Sequence, residues 1–379
     1  MASFGKDPAN LPSTGNFGND ARFNEANKPR PQGGGGGKPT WIDSFKPSTT
    51  EADIVRVLKG QYEVEVAVGD NNTVQVVKKT LAYYPWTEHF HGGLKKGCTC
   101  SAGPLALFKD KRQPCRACDI FWANKSKGKK NPMSRREMYS FSVLHYAPYT
   151  LMEQIDVKTG KIRCNDENEP YMNWVRRSKF EAQQDQTEGR ETRDAHLLHW
   201  DIGYGHWGTL LEYDKEFGKS CRSCGGRDTI QMEAWTCPHC GEAIIEPNST
   251  YKPAEIDEIT TKEVRCAHCQ QVGRLVEYVS CTNCSNGQRA DIFDVDMGVK
   301  RVADAKGGNQ TTLMITTWSN PRPIDARFTE LAKPLNLAKV FVPTSMDVQE
   351  EYYGAGAPNP GARQPVTTVG GNSRPFNRQ

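Results

Sequence analysis

A chain of 379 residues with a formal net charge of +4, 36% apolar residues, 34 Gly and 23 Pro has room for two or three domains of roughly 100 to 200 residues and leaves part of its length outside any core. No run approaches the roughly 18 apolar residues of a membrane span, and the opening MASFGKDPANLPSTG lacks the basic start and apolar run of a secretion signal. The expectation is a protein of a reducing cytoplasm, with no membrane and no small-molecule substrate, whose 13 cysteines are metal ligands before they are disulfides.

Residues 1–38 are polar, lack hydrophobic periodicity and end in the run Gly33–Gly37, which predicts a flexible arm. A core over 39–212 follows, with a helix over Glu51–Leu58 and strands over Gln61–Val68, Thr73–Tyr84 and Glu137–Tyr146, where β-branched and aromatic residues alternate with polar ones. Residues 213–288 carry strands at Thr229–Trp235 and Arg274–Val279. The chain then returns through 289–353, with strands at Ala290–Met297 and Thr311–Trp318 and helices at Asp325–Leu331 and Met346–Tyr353. Residues 354–379 form a second Gly- and Pro-rich tail that carries Arg363, Arg374 and Arg378 and no acid. The pattern predicts a mainly β fold with minor helix, its core a small barrel.

Within the core, His91, Cys98, Cys100, Cys115 and Cys118 form a first metal cluster. Cys115-x2-Cys118 is a knuckle that sets two sulfurs on one turn, and Cys100 is the natural third ligand. The fourth is open: Cys98 would complete four thiolates through an unusual Cys-x-Cys pair, whereas His91, which the reading favours, would leave Cys98 as a packed bystander. His89 could substitute.

Around this cluster the charge is uneven. Twelve basic residues lie between Lys95 and Arg136, namely Lys95, Lys96, Lys109, Lys111, Arg112, Arg116, Lys125, Lys127, Lys129, Lys130, Arg135 and Arg136, against Asp110 and Asp119 alone. A local excess of about ten positive charges is the footprint of a phosphate-binding surface. Trp86, Trp122, Tyr139 and Phe141 flank or interrupt the run as candidate stacking faces for bases. Most aromatics in strands pack cores instead, and a lone lysine run is usually a solvated loop; it is the interleaving of the two that argues for nucleic acid. A second aromatic group, Trp200, Tyr204 and Trp207, sits among His196, His199 and His206 without a cysteine or paired carboxylate to make a metal site.

Further on, Cys221-x2-Cys224 is followed after twelve residues by Cys237-x2-Cys240, and Cys266-x2-Cys269 after eleven by Cys281-x2-Cys284. Each adjacent couple of knuckles is expected to close one tetrahedral zinc with four thiolates and no open position, giving two tandem structural ribbons. His239 and His268, inside knuckles, are spectators.

The segment PCRACDIFWANKSKGKKNPMSRREMYSFSVLHY resembles the single-stranded DNA-binding, helix-destabilising proteins of T-even-type phages. The resemblance covers about Val55–Tyr146. It implies an oligonucleotide-binding (OB-fold-like) barrel with an internal zinc held by His91, Cys100, Cys115 and Cys118, followed by a lysine loop over Lys125–Lys130 and an aromatic strand at Tyr139 and Phe141. It further implies non-specific binding of single-stranded DNA in phage replication, recombination and repair, within the cytoplasm of the host cell, with replication proteins as further partners. The family's acidic C-terminal tail is missing here, and the ribbons are an insertion foreign to its pattern. No GxxxxGK[ST] loop, GxSxG elbow or deaminase His-x-Glu occurs, so catalysis is not expected. The competing readings are a zinc-ribbon transcription or RNA-processing factor, and a metal-dependent nuclease or primase fragment with Asp294 and Asp296 on one strand face.

Overall fold

The computed structural model describes residues 44–68, 75–91, 96–103, 113–126, 133–156, 159–165, 167–246, 250–284, 286–303 and 311–353. Strands dominate, at 40% against 21% helix, as β-branched and aromatic runs bounded by Gly and Pro require. No helix among the described residues is long and apolar enough to cross a membrane. The predicted arm, most of the lysine loop and the C-terminal tail lie outside the described residues.

The described residues divide into two compact units, one within 44–86 and 137–342, the other within 87–136 and 343–353. In chain order the first strands are β1 (Asp53–Leu58), β2 (Tyr62–Val68), β3 (Gln75–Leu81), β4 (Tyr84–His91) and β5 (Lys96–Thr99), followed by helix α1 (Arg116–Ser126) and β6 (Met133–His145). Next come β7 (Tyr149–Glu153), β8 (Met172–Arg176), α2 (Lys179–Thr187), β9 (Thr192–Arg193), β10 (His196–Gly203) and α3 (Tyr204–Phe217).

The core sheet of the first unit is built on β1 and β6. Strand β1 pairs antiparallel with β6 on one side and, on the other, with β16 (Asp296–Ala303), which in turn pairs with β17 (Thr311–Trp318). Strand β10 lies on the opposite edge of β6, from His196↔His145 to Gly203↔Met138. This order runs open and does not close into a barrel. Its alternating inward side chains, Val55, Val57, Phe141, Val143, Leu198, Trp200, Met297 and Val299, form a continuous core with Leu210 and Phe217 of α3.

The helix expected over Glu51–Leu58 is instead strand β1. Its sequence DIVRVL is nearly all buried between two partner strands, and three β-branched residues in six favour that pleated setting over a helix. Arg56 is buried in the same strand and neutralised by Asp296 at 2.7 Å, as a buried cation must be. The helix expected at Asp325–Leu331 shortens to a single 3-10 turn, Ala326–Phe328, capped by Asp325. Ala290–Met297 is extended only from Asp296. Helix α3, over a Gly- and aromatic-rich stretch with no clear apolar period, went unpredicted.

The described strands between residues 220 and 289 pair among themselves. Strand β11 (Ile230–Thr236) pairs with β12 (Ala243–Ile245) and with β15 (Val276–Cys281), while β13 (Glu263–Arg265) and β14 (Val272–Arg274) make a hairpin after helix α4 (Pro253–Thr261). The chain ends in α5 (Leu337–Val340) and α6 (Met346–Tyr353), the latter as the sequence predicts.

Candidate metal centres and basic surface

Three groups of four side chains converge with metal-ligand geometry: Cys221, Cys224, Cys281 and Cys284; Cys237, Cys240, Cys266 and Cys269; and His89, Cys100, Cys115 and Cys118, the ligand atoms of each lying within 4.8 Å of one another. In a tetrahedron with sulfurs about 2.3 Å from zinc, neighbouring sulfurs sit about 3.8 Å apart. The structure has Cys221–Cys284 at 3.7 Å, Cys224–Cys281 at 3.6 Å, Cys237–Cys269 at 3.6 Å and Cys240–Cys266 at 3.7 Å. The donors fit a small tetrahedral cation of zinc type.

The eight ribbon cysteines are those expected, but they are shared out differently. Adjacent knuckles do not pair; the outermost joins the last, and the two inner ones join each other. Strand β11 runs between the Cys224 and Cys237 knuckles, and seven extended residues span roughly 20 Å, too far for one metal to bridge. Strand β15 lies antiparallel to it, with Ile230 opposite Cys281 and Thr236 opposite Val276. The end of β15 therefore returns Cys281 and Cys284 to the start of β11, while the β13–β14 hairpin brings Cys266 and Cys269 to its far end. A signal for this was present: a strand predicted between two knuckles already separates them.

Three of the four knuckles are tight turns closed by a backbone bond, Gly225 N–H to Cys221 O, Gly241 N–H to Cys237 O and Gln270 N–H to Cys266 O, all 2.9 Å. The donor residue is left-handed in each, with φ of 70°, 75° and 60°, which glycine adopts freely and Gln270 at some cost. The turn also aims N–H groups at sulfur. His239 N–H meets Cys237 Sγ at 3.5 Å and holds that thiol down at about 7 against burial. The Thr229 hydroxyl, 3.3 Å from Cys281 Sγ, holds that thiol down at about 6. In the same groups backbone N–H contacts are outweighed by desolvation and the neighbouring thiols, which push Cys240 and Cys284 up to about 12, so binding a metal, which needs thiolates, would release protons. His239 itself bonds Val272 O through Nε2, and among the described residues neither it nor His268 joins one of the three groups.

The third group lies in the second unit and is wholly buried. Its histidine is His89, in place of the expected His91 or Cys98. His89 and His91 point to the same face of β4, so alternation cannot choose between them; depth along the strand does. His89 is fully buried with Nε2 3.2 Å from Cys118 Sγ, whereas His91, at the strand end, stacks on Tyr353 at 6.1 Å. Cys98, opposite His89 in β5, is the bystander: burial pushes its thiol up to about 12, with a hydrogen bond to Tyr353 offsetting only part. Cys100 sits 3.5 Å from Cys115 and 3.4 Å from Cys118. Those contacts hold Cys115 far below the usual thiol range and raise Cys100.

Gln349 of α6, unremarked in the sequence, props this group. Fully buried, it accepts Ala117 N–H at 3.3 Å, lies 3.4 Å from Cys115 Sγ and donates to Thr344 O at 2.8 Å. Thr344 in turn bonds the backbone of Thr99 at 3.0 and 3.1 Å. A glutamine on a polar helix gives no sequence signal of such a role.

Of the basic candidates, Lys95, Lys111, Arg112, Lys127, Lys129 and Lys130 lie outside the described residues, and Lys96 is placed only by its backbone in β5. Lys125, exposed in the last turn of α1, lies over the Trp122 ring at 4.8 Å. Arg136 is exposed and Arg135 half-buried at the start of β6. Phe121 and Trp122 are half-buried, and Phe90 of β4 is 40% exposed.

Two stacking candidates are corrected by burial. Trp86, 5% exposed, stacks on Phe341 at 4.6 Å and donates its indole N–H to Ser140; Phe141, 1% exposed, is central core. Tyr139 is half-buried and stacked on Trp207 at 4.9 Å. Core demand takes these inward-facing strand positions. The histidines near Trp200 form no metal group among the described residues. Asp296 is bound by Arg56 and Arg322, and Asp294 by Arg222, so arginines hold the pair that a nuclease would offer to Mg²⁺.

No family model, curated protein or solved structure matches this chain.

Proposed function

We propose that this is a zinc-organised protein that binds single-stranded DNA without sequence preference, in replication, recombination or repair. The observation that carries the reading is the coincidence in one stretch, His89–Arg136, of ten excess positive charges with a buried four-ligand metal group and accessible aromatics. Phosphate attraction and base stacking are the two terms that non-specific single-strand binding needs. Zinc fixes the helix–strand frame from which Lys125, Trp122, Phe90 and Arg136 project. The phage-type resemblance and kinship of the core with OB-like folds belong to the same proposal. Binding unpaired strands in preference to duplex melts secondary structure by mass action.

The test is a fluorescence titration of zinc-replete protein with a short single strand and its duplex at several salt concentrations. Tight single-strand binding that weakens steeply with salt, with little duplex affinity, is expected. Lys125→Glu and Arg136→Glu should each lower the salt slope by about one or more. Absence of any strand preference sinks the reading.

A second reading has one observation in its favour. The ribbon exposes Tyr278 at 59% with Val276 and Val272 at 46% each, an apolar surface suited to protein contact, as a transcription or RNA-processing factor would use. It predicts weak autonomous strand affinity.

A further inference from the structure

We infer that the outer metal group, Cys221, Cys224, Cys281 and Cys284, is a metal-dependent joint: loaded, it would lock the ribbon onto the core, and emptied, it would release the ribbon as an arm. The inference stands apart from strand binding. The group lies where the chain leaves the core after α3 and returns to it before β16, and there the two passages run side by side. Arg222 N–H donates to Gln288 O at 2.8 Å and Ala290 N–H to Ser220 O at 3.0 Å, with Cys221 bridged to Arg289 between them. The Arg289 guanidinium also donates to the carbonyl of Gly218, the C-cap of α3, at 2.9 Å.

The first knuckle itself grips the core. Arg222, inside Cys221-x2-Cys224, pairs with Asp294 at 3.0 Å. A Cβ on Gly225, which is left-handed at 70°, would sit 2.9 Å from Pro321 O, so the turn lies directly on the loop after β17, an approach that glycine permits. Arg227 donates to Asn320 Oδ1 at 2.7 Å and to Trp318 O, and its guanidinium lies 5.5 Å from the centre of the Trp318 ring. Trp318 in turn packs on Tyr213 and Phe217 of α3 at 5.9 and 5.5 Å, at the edge of the main core. Residues of this one turn therefore touch the end of β17, the aromatic seam of α3 and the approach to β16.

The inner group, Cys237, Cys240, Cys266 and Cys269, lies at the far end of β11 and turns back on the ribbon, where His239 of its knuckle bonds Val272 O of β14 at 3.2 Å. Its loading concerns the ribbon's own fold. At the outer group, closing the joint brings two thiolates from each passage together, so a metal binds the closed form and has little affinity for an open one. Occupancy then sets the balance between the two forms. With the site empty, the contacts left to hold the knuckle on the core are hydrogen bonds at the surface and the ion pair of Arg222, whose side chain is 53% exposed, and such contacts hold little by themselves.

The experiment is hydrogen exchange with mass spectrometry on the zinc-replete full chain, read at the C-terminal half of α3 and around Trp318. Cys224→Ser should release one zinc and speed exchange at both places by about tenfold or more, with trypsin now cutting at Arg222 and Arg227. Cys240→Ser should also release one zinc yet leave exchange at α3 and Trp318 as it was. Arg222→Ala with Arg227→Ala separates the joint from its metal: zinc content should stay at the level of the unaltered chain while exchange at Trp318 still rises. Equal effects of Cys224→Ser and Cys240→Ser on α3 and Trp318 overturn the inference, as does a core that neither variant touches. Should Cys224→Ser unfold the whole chain, the arginine double variant decides, and unchanged exchange at Trp318 overturns the joint.

Discussion

The ribbon segment and the buried His89 group use the same chemistry to different ends. In the ribbon, Cys224 and Cys240 face solvent and Cys269 and Cys284 are half-exposed, and among the described residues its buried apolar side chains, chiefly Ala234, Ile245 and Leu275, join no larger hydrophobic cluster. The His89 group has all four ligands buried, within a cluster that includes Ala117, Met133 and Tyr353. In the first region a bound metal would stand in for a core; in the second it would be set inside one. A segment without its own core depends on bound metal for folding, whereas one with packed apolar neighbours retains some structure when the metal leaves.

Chelation tests this contrast with the largest effect. Structural zinc contributes on the order of 10 kcal/mol or more to folding. Amides of β11 and β15 should therefore lose hydrogen-exchange protection entirely once zinc is stripped, while those around Met133 lose it later and in part. Equal and simultaneous loss in both regions would erase the distinction drawn here.

The nested sharing of the ribbon knuckles can be broken next. Cys237→Ser should release one zinc and leave Cys240, Cys266 and Cys269 open to alkylation, with Cys221, Cys224, Cys281 and Cys284 still protected. Adjacent pairing demands the contrary pattern, with Cys221 and Cys224 labelled, and mass spectrometry of the alkylated peptides decides between them.

In the buried group, His89→Ala should remove one zinc from the purified protein and His91→Ala none, as read by metal analysis. The smallest effect is expected from Gln349→Ala, because side chains that orient a ligand typically change metal affinity by about 10- to 100-fold. Competition with a chromogenic chelator measures it, and an unchanged affinity would reduce Gln349 to a packing residue.

The knuckles themselves were legible because a Cys-x-x-Cys turn is local: four residues and one left-handed position determine where two sulfurs go. The strands over Tyr62–Val68, Ile230–Thr236 and Thr311–Trp318 were legible too, since alternation is a property of neighbouring residues. So was α6, with matching bounds. What failed was what depends on distant partners. Strand β1 looked helical until β16 and β6 buried both its sides, and Trp86 and Phe141 looked like stacking faces until the core claimed them.

The sequence by itself thus determined the ligand types, the turns that carry them and the concentration of positive charge between Lys95 and Arg136. Only the tertiary structure decided which half-sites close together. The antiparallel return of β15 along β11 sets the ribbon partners, and the depth of His89 in β4 sets the third group. Tetrahedral coordination requires four donors within a few ångströms, and that proximity comes from strand direction and burial, which no spacing along the chain encodes.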